Sequence, residues 1–427
     1  MELRLNNSAE FKGTLDVVSR GRAFGWACSN NSDDPAEVEL LIDGEFVARA
    51  KADIHRPDLE QAGIGRGHAA FVFDIPVAYC DSNFHEVDVR ITNTSLSINA
   101  SPRTVQLIGP LDTQEFAAGG TWVDASDEVF ESSLKQFALE YSMSEAEVEN
   151  FRHFRQDGFI VLKNVINPLL ITNILADIER LWRERPNIYV QAGGESSPRQ
   201  IDTIEDEMTY RNRSARYLDL HNISEAAASL LCDPVVVRFI RIYLGEPIAG
   251  MQTLTFENGT QQRAHQDYPY VHSLRPAALA GAWAPLEKVS IDAGPLFYYV
   301  GSHRAIAPYV FAGGSVLAEG DGQHIRDYES YLDNECARLG LKKEVLLAEP
   351  GDVLVWHAAL VHGGSVRNNP ALTRRSIVSH YTTQAAYPFD RRSPSEPGQS
   401  IHVGECAYYA RQERGHVEGL FKMAKDQ

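Results

Sequence analysis

Two short stretches, far apart in the chain, constrain this sequence more than any other feature because together they carry the donor atoms of a metal site. The first contains His265 and Asp267, separated by one residue, and the second contains His362. In an extended strand residues i and i+2 point to the same side, so His265 and Asp267 can reach one ion. Two imidazoles and one carboxylate on one face leave the other positions open, as in non-heme Fe(II) sites. The spacing therefore predicts an iron site at these three residues.

A second histidine, His357, competes with His362 for the third ligand position. His357 follows an apolar run, Val353–Trp356, that comes after a Pro-Gly turn and predicts a buried strand. Gly363 and Gly364 directly behind His362 allow the backbone to turn towards a metal. We therefore predict His362 as the ligand, and His357 as a core residue or a neighbour of the site.

A pair of arginines begins the next predicted strand. Arg374 and Arg375 point to opposite faces of an extended chain, so only one of them can enter the interior. A guanidinium is the group of choice for holding a carboxylate through two hydrogen bonds. Ser376 and Val378 share the face of Arg374, and we predict that Arg374 is the anchor for an organic acid.

The ordered set of motifs resembles one known family over roughly residues 145 to 385, closely at the motifs and loosely between them. The motifs are His265 with Asp267, Gly301-Ser302-His303, Pro350-Gly351-Asp352, His362-Gly363-Gly364 and Arg374. They are similar to those of the phytanoyl-CoA dioxygenase-like family of Fe(II)/2-oxoglutarate-dependent oxygenases. The resemblance implies a double-stranded β-helix (a jelly roll), iron on His265, Asp267 and His362, and 2-oxoglutarate with its far carboxylate on Arg374.

The resemblance also implies a reaction. Related halogenases carry a small residue where this chain has Asp267, so the carboxylate favours hydroxylation or a similar oxidation. The implied enzyme uses Fe(II), 2-oxoglutarate and O2, with ascorbate as reductant in vitro. It hydroxylates a C–H bond of a small molecule of the sugar, lipid-sugar or natural-product type and releases succinate and CO2. Desaturation or epimerisation by the same cofactors, or an inactive glycan-binding or scaffold protein, remain alternatives.

Further candidates lie around these motifs. Gln252, on the strand predicted before the metal stretch, is either a hydrogen-bond partner of 2-oxoglutarate or a structural amide. Tyr268 and Tyr270 flank the metal stretch as either substrate walls or surface aromatics. His303 is interpreted as a hydrogen-bonded histidine at a strand end, and Trp283 as a residue packed inside the barrel.

Composition restricts the partners. Lys and Arg total 40 against 58 for Asp and Glu, a net charge of -18, which argues against nucleic acid and anionic membranes because phosphate binding needs a basic surface. The five cysteines lie far apart without a CxxC pair, which fits a reduced compartment. A polar start and the lack of a long apolar run predict a cytoplasmic protein. No pattern predicts the oligomeric state.

Residues 1–108 predict a small β-sandwich, with Asp43-Gly44 as a hairpin turn. The segments Gly25-Trp26-Ala27, Arg56-Pro57-Asp58-Leu59 and Ala70-Phe71-Val72-Phe73 resemble a module attached to bacterial carbohydrate-modifying enzymes. Trp26 is either a sugar-stacking platform or a core residue, and we favour the core. The candidate strands are 14–18, 22–28, 36–42, 45–50, 69–75, 85–92 and 103–107.

The rest of the chain predicts a linker over 109–126 and an oxygenase domain over 127–427, so the fold class is mainly β with flanking helices. An insertion over 304–344, Gly-rich and then helical from 327 to 340, is expected to cover the barrel mouth. Residues 189–215 predict a long loop, and 405–425 a C-terminal helix. The remaining predicted helices are 127–141, 144–157, 167–184 and 224–243, and the predicted strands are 158–162, 248–256, 281–289 and 294–300.

Overall fold

Two compact units make up the chain. One comprises Met1–Gln114 with Val310–His324, and the other comprises Glu115–Tyr309 with Ile325–Gln427. The domain limits predicted at residues 108 and 126 stay predictions. The computed structural model describes residues 10–410 except 20–21, 32–34, 57–58, 61, 80, 109–119, 194, 196, 272, 310, 312–315, 319–321 and 388–398.

The first unit is a β-sandwich of two four-stranded antiparallel sheets. Their strand orders are β1-β2-β6-β5 and β4-β3-β7-β8. Alternating side chains turn one face of each sheet inwards, so that Phe71 of one sheet and Leu40 and Val87 of the other share a core. All seven predicted strands are confirmed; the additional strand β5 has only two residues, too few for alternation to reveal. The strands are β1 (Phe11–Ser19), β2 (Arg22–Ser29), β3 (Glu37–Ile42), β4 (Glu45–Lys51), β5 (Ile54–His55), β6 (His68–Asp74), β7 (Asp81–Ile91) and β8 (Arg103–Ile108).

Trp26 lies on the outer face of its sheet. The indole is half-buried and packs against a small cluster formed by Cys28, Leu59 and Ala70. It therefore has a packing role, although outside the main core of the sandwich. The likeness of the first unit to modules of carbohydrate-modifying enzymes stays a prediction.

A helical lead-in opens the second unit as the sequence predicts. Ser144 and Glu147 form a reciprocal capping box at the start of the second helix, and Gly158 ends that helix with φ 85°. Before the first helix, Trp122 and Asp124 form a 3-10 turn that packs into the core. The elements are α1 (Asp127–Glu140), α2 (Glu145–Asp157), β9 (Phe159–Leu162) and α3 (Pro168–Glu184).

Two predictions for the next segment are wrong. The loop expected over 189–215 contains β10 (Tyr189–Gln191), β11 (Arg199–Gln200) and α4 (Glu207–Asn212), because its backbone pairs into the main sheet. Strand β12 (Arg216–Leu218) follows. The single helix expected over 224–243 is two helices, because Pro234 cannot donate a helical hydrogen bond and the Asp233 carboxylate caps a new helix. They are α5 (Glu225–Leu231) and α6 (Pro234–Leu244).

The remaining strands build a double-stranded β-helix from two sheets, which confirms the predicted fold class. The larger sheet runs β11-β10-β12-β13-β19-β14-β17-β9 and the smaller one β16-β15-β18. All residues of β14 and β17 are buried, as expected for strands covered on both faces. These elements are β13 (Ile248–Phe256), β14 (Leu279–Pro285), β15 (Leu296–Tyr299), α7 (Ser302–Ala305), α8 (Gly322–Arg338), β16 (Lys343–Val345), β17 (Val353–His357), β18 (His362–Gly364) and β19 (Ser376–Thr383).

The end of the described chain differs from its prediction. Strands β20 (Gln399–Val403) and β21 (Cys406–Ala410) form a hairpin where the C-terminal helix was expected to begin, and β21 pairs in parallel with β13. Burial of Cys406, Ala407 and Tyr408 explains this outcome. The rest of the predicted helix, 411–425, lies outside the described residues, as does Cys80; the other four cysteines are free and buried. Within the described ranges, every helix is too short or too polar to span a bilayer.

Candidate metal centre

The two motif stretches lie side by side because the backbone at His265 pairs with β18. The N–H of His265 donates to the carbonyl of His362, and the N–H of His362 donates to the carbonyl of His265, both at 2.9 Å. The N–H of Asp267 donates to the carbonyl of Ala358 at 3.1 Å. This segment forms a single bridge rather than a strand, yet the alternation holds: Gln266 points away and donates to the Ala359 carbonyl at 2.7 Å.

The three side chains direct their donor atoms to one point. Nε2 of His265 lies 3.9 Å, and Nε2 of His362 lies 3.6 Å, from Oδ1 of Asp267. These distances are too long for hydrogen bonds. Two ligand atoms that each lie about 2.1 Å from one ion are at most about 4.2 Å apart. Both distances fit two ligands of one metal ion, and the ligand atoms of all three residues lie within 4.8 Å of one another.

Hydrogen bonds fix the tautomers of both histidines. Nδ1 of His265 lies 2.9 Å from the carbonyl of Arg263, and Nδ1 of His362 lies 3.0 Å from the carbonyl of Leu360. A carbonyl can only accept, so both Nδ1 atoms carry a proton, and in the neutral ring the Nε2 lone pair is then the one available to a metal. Burial, and then the neighbouring His362, lowers the pKa of His265 to about 4. The ring is therefore neutral at pH 7, as a metal ligand must be.

The second oxygen of Asp267 is held from the opposite side. Nε1 of Trp356 donates to Oδ2 at 2.6 Å, and Nε2 of His380 lies 3.3 Å from the same atom. Burial alone would raise the pKa of the Asp267 carboxyl, but the His362 and His380 imidazoles lower it below its usual value. The carboxylate is thus charged and oriented, with Oδ1 facing the two free imidazole nitrogens.

Gln252 is connected to the site only through its contact with His380. Its amide nitrogen lies 3.1 Å from Nδ1 of His380, and Gln252 is not among the residues that line the cavity at the metal stretch. Its contact with 2-oxoglutarate stays a prediction, and the structure gives the amide a different partner.

A small cavity adjoins the three donors, between the larger and the smaller sheet. Arg374 lies in its wall, buried, with a hydrogen bond from its guanidinium to the carbonyl of Gly294 at 3.1 Å. Among the described residues its Nε has no partner and no carboxylate pairs with it. Burial, and then the nearby Arg367, lowers the pKa of Arg374 to about 10, which leaves it charged at pH 7. The lining also includes Leu254, Phe256, Thr260, Gln262, Trp283, Leu296, Trp356, Gly363, Gly364, Val378 and His380.

Arg375 faces the other way, as alternation predicts. Its guanidinium lies 3.6 Å from Glu179 and is partly exposed. Arg374, Val378 and His380 therefore share the cavity face of their segment, and Arg374 is the member of the pair that can meet a bound acid.

The competing histidines lie outside this site. Nε2 of His357 lies 3.2 Å from Oδ2 of Asp124, and its Nδ1 accepts from the N–H of Ala359 at 3.0 Å. Nε2 of His303 lies 3.2 Å from the carbonyl of Arg155. Both histidines are buried, which agrees with their interpretation as structural residues.

The two tyrosines next to the metal stretch have different environments. Tyr268 is fully buried, so it cannot form a substrate wall. Tyr270 is 39% exposed, and its ring centroid lies 6.2 Å from that of His265. Tyr270 is therefore the tyrosine of the two that a substrate approaching the site could touch.

The sequence did not predict two residues that contact Asp267, namely His380 and Trp356. His380 lies six residues after Arg374, so alternation places both side chains on the same face, but nothing in the spacing indicated a contact with Asp267. Trp356 precedes His357 and read only as part of an apolar strand. Their convergence depends on how β17 and β19 flank β14, which the sequence pattern does not reveal.

Comparison with known proteins gives consistent matches. The family model for phytanoyl-CoA dioxygenase matches residues 154–376, just over half of the chain. Peroxisomal phytanoyl-CoA dioxygenase of Bos taurus is 22% identical over 274 residues, 61% of this chain and 76% of the relative. Ectoine dioxygenase of Nocardia farcinica (strain IFM 10152) is 22% identical over 244 residues, 53% and 74% of the two chains.

Solved structures with a similar fold were also found. The non-heme α-ketoglutarate-dependent epimerase SnoN of nogalamycin biosynthesis aligns with a TM-score of 0.44 and 15% identity, over 62% of this chain and 99% of that one. EctD from S. alaskensis, in its iron-bound crystal structure, aligns with a TM-score of 0.41 and 19% identity, over 57% and 78%.

A double-stranded β-helix with two imidazole nitrogens, a carboxylate and a buried guanidinium around one cavity is the arrangement of an Fe/2-oxoglutarate-dependent oxygenase. Within that class, the chain belongs to the phytanoyl-CoA dioxygenase family.

Proposed function

We propose that this chain is an Fe(II)/2-oxoglutarate-dependent dioxygenase that hydroxylates a C–H bond of a small molecule. The balanced reaction converts substrate, 2-oxoglutarate and O2 into hydroxylated substrate, succinate and CO2. One oxygen atom enters the substrate and the other enters succinate. The observation that carries the proposal is that one cavity holds both a donor set of two imidazoles and a carboxylate and a buried guanidinium with no anionic partner among the described residues.

The donor set fits ferrous iron. His265, Asp267 and His362 would hold the ion through Nε2, Oδ1 and Nε2, because these are the atoms left free by the other hydrogen bonds of the three side chains. Two imidazoles with one carboxylate are the protein ligands of non-heme Fe(II) oxygenases. When bound there with 2-oxoglutarate and O2, the iron supplies the oxidising power for cleaving a C–H bond.

The guanidinium of Arg374 fits a dicarboxylate cosubstrate. A buried cation without an anionic partner is costly, and a carboxylate on Arg374 would satisfy the Nε that now lacks a partner. The Trp283 ring centroid lies 5.8 Å from the centre of the guanidinium, near the outer limit of a cation–π contact. Arg374 would thus orient the acid while its other end reaches the metal ligands.

The other side chains keep the site dry and open at one end. Leu254, Leu296 and Val378 line the cavity with apolar surface, which excludes water from the reacting groups and strengthens the electrostatic contacts inside. Tyr270 is the exposed aromatic beside His265, so we propose that the substrate lies against it. The substrate itself we assign only as a small molecule, of the sugar, lipid-sugar or natural-product type.

A succinate assay tests the proposal. The purified chain with Fe(II), ascorbate and 2-oxoglutarate should form succinate slowly even without substrate, and His265→Ala should abolish this turnover. Full succinate formation by the variant would refute the iron site. Once a substrate is found, 18O2 distinguishes the outcomes: hydroxylation incorporates label into the product, whereas desaturation and epimerisation do not.

A further inference from the structure

The Asp267 carboxylate presents only one of its two oxygens to the other ligands. A carboxylate can bind a metal through one oxygen or through both, and nothing in the covalent structure of aspartate favours either. In this chain Oδ1 lies near the two histidine nitrogens, while Oδ2 receives the indole N–H of Trp356 at 2.6 Å. This hydrogen bond is buried and charge-assisted, a strong type.

We infer that Trp356 is a positioning residue that occupies Oδ2 of Asp267 and so reserves Oδ1 alone for the metal. The inference rests on the proposed function and deepens it. A carboxylate freed from the indole could rotate and offer both oxygens, which would consume a coordination position needed for 2-oxoglutarate or O2. Trp356 also lines the cavity, but the role inferred here is exerted through Asp267.

A second contact supports the same orientation. Nε2 of His380 lies 3.3 Å from Oδ2 of Asp267, and its Nδ1 lies 3.1 Å from the amide nitrogen of Gln252. If the Gln252 amide N–H donates to Nδ1 of His380, the proton of His380 lies on Nε2. Nε2 is close to Oδ2 of Asp267 but is not aligned for a hydrogen bond, so this contact is electrostatic and Trp356 supplies the hydrogen bond.

The neighbouring strand is shaped around the indole. Gly281 pairs with Trp356 across β14 and β17, and a Cβ at Gly281 would lie 2.3 Å from Cε2 of the indole. Only glycine leaves the ring room to lie here. The ring centroid of Trp356 also lies 4.8 Å from that of His362, so the indole packs against a second ligand while it bonds to Asp267.

The chain contains a matched control for this role. Trp283 is also buried in the cavity wall, but its Nε1 has no hydrogen-bond partner among the described residues. Replacing either tryptophan by phenylalanine trims a buried indole in the same cavity. Only the replacement at 356 removes a hydrogen bond to a proposed ligand.

The experiment is a titration of the full-length, metal-free chain with Co(II), without 2-oxoglutarate or O2. It follows the Kd by calorimetry and the coordination by the visible ligand-field spectrum. We expect Trp356→Phe to raise the Kd about 10- to 100-fold, the usual range for partners of ligands, and to change the spectrum. We expect Trp283→Phe to leave both within error of wild type, with thermal unfolding as the check that each variant is folded.

Two results would overturn the inference: a wild-type Kd and spectrum in Trp356→Phe, or an equal loss in Trp283→Phe. If Trp356→Phe does not fold, Gly281→Ala displaces the indole while it keeps every atom of Trp356 and Asp267, and it must weaken Co(II) binding likewise. A wild-type chain that binds no Co(II) or Fe(II) would overturn the proposed function itself, which separates the two failures.

Discussion

The second unit contains two buried groups of histidine and aspartate that differ in where their free lone pairs point. At the candidate metal centre the Nδ1 atoms of His265 and His362 are used by backbone carbonyls, and both Nε2 atoms face Asp267 beside a cavity. In the other group, His357 uses both nitrogens, one on Asp124 and one on a backbone N–H. The first group therefore offers two imidazole nitrogens and a carboxylate oxygen to an ion, whereas the second group leaves only Oδ1 of Asp124 without a partner among the described residues.

Residue type and burial are the same in both groups, so they do not distinguish a metal site from a structural His–Asp pair. Oδ2 of Asp124 also accepts from the hydroxyl of Thr121 at 2.8 Å, so its carboxylate serves the packing of the 3-10 turn that precedes α1. Each aspartate keeps one oxygen without a hydrogen bond, Oδ1 in both cases. The two groups therefore differ in their imidazole nitrogens, which are used up in His357 and half free in His265 and His362.

The largest effect is expected from Asp267→Ala. Loss of the charged ligand should lower 2-oxoglutarate-dependent succinate formation by more than about 100-fold, beyond the range seen when only a partner of a ligand is lost. The measurement is succinate release per chain under saturating Fe(II). Wild-type turnover in this variant would contradict the assignment of Asp267.

The complementary change, Asp124→Ala, should affect stability and not metal binding. It leaves the buried Nε2–H of His357 without its carboxylate acceptor, so the free energy of unfolding should fall by about 2 kcal/mol. Urea unfolding measures the loss, and Co(II) titration should give a Kd near that of wild type. Loss of the metal by Asp124→Ala without a loss of stability would contradict the structural role assigned to Asp124.

Replacing Arg374 or Arg375 tests which guanidinium binds 2-oxoglutarate in the cavity. Arg374→Met removes the buried guanidinium and should raise the KM for 2-oxoglutarate about 10- to 100-fold, as expected for a lost charge-assisted contact. Arg375→Met, which alters the guanidinium that pairs with Glu179, should leave that KM unchanged. Equal effects of the two variants would remove the case for Arg374 as the anchor.

A smaller effect concerns pH. Burial, and then the neighbouring His357, lowers the pKa of His303 to about 3, below the value of about 6.5 for an unfolded histidine. The unfolded chain therefore takes up the proton first, so stability is complete above about pH 6.5 and falls as the pH drops towards 3. His303 should contribute about 1 kcal/mol of loss per pH unit in that window. Urea unfolding of His303→Gln should show a shallower dependence between pH 6 and 4, and identical slopes would exclude this role.

Much of the fold was predictable because it follows from apolar patterns and turn or cap residues that lie close together in the sequence. The seven strands of the first unit, helices α1 to α3 and strand β13 all carry their signal within a few consecutive residues. The sequence predicted that His265, Asp267 and His362 meet, because His265 and Asp267 are two residues apart and two glycines follow His362. The side of the strand on which Arg374 lies followed from the same alternation.

What could not be predicted depends on contacts between distant segments. The hairpin of β20 and β21 exists because β21 pairs with β13, and strand β10 pairs with β12 across an intervening helix. The hydrogen bond from Trp356 to Asp267 requires the absence of a side chain at Gly281 on another strand. Such partners become visible only when the sheet register is known.

The most direct test of the central claim compares His362 with His357, the two histidines that the sequence could not fully separate. Fe(II) bound per chain should be measured anaerobically for His362→Ala and His357→Ala. His362→Ala should lose the ion, whereas a folded His357→Ala should retain one Fe(II) per chain. Retention by His362→Ala together with loss by folded His357→Ala would contradict it.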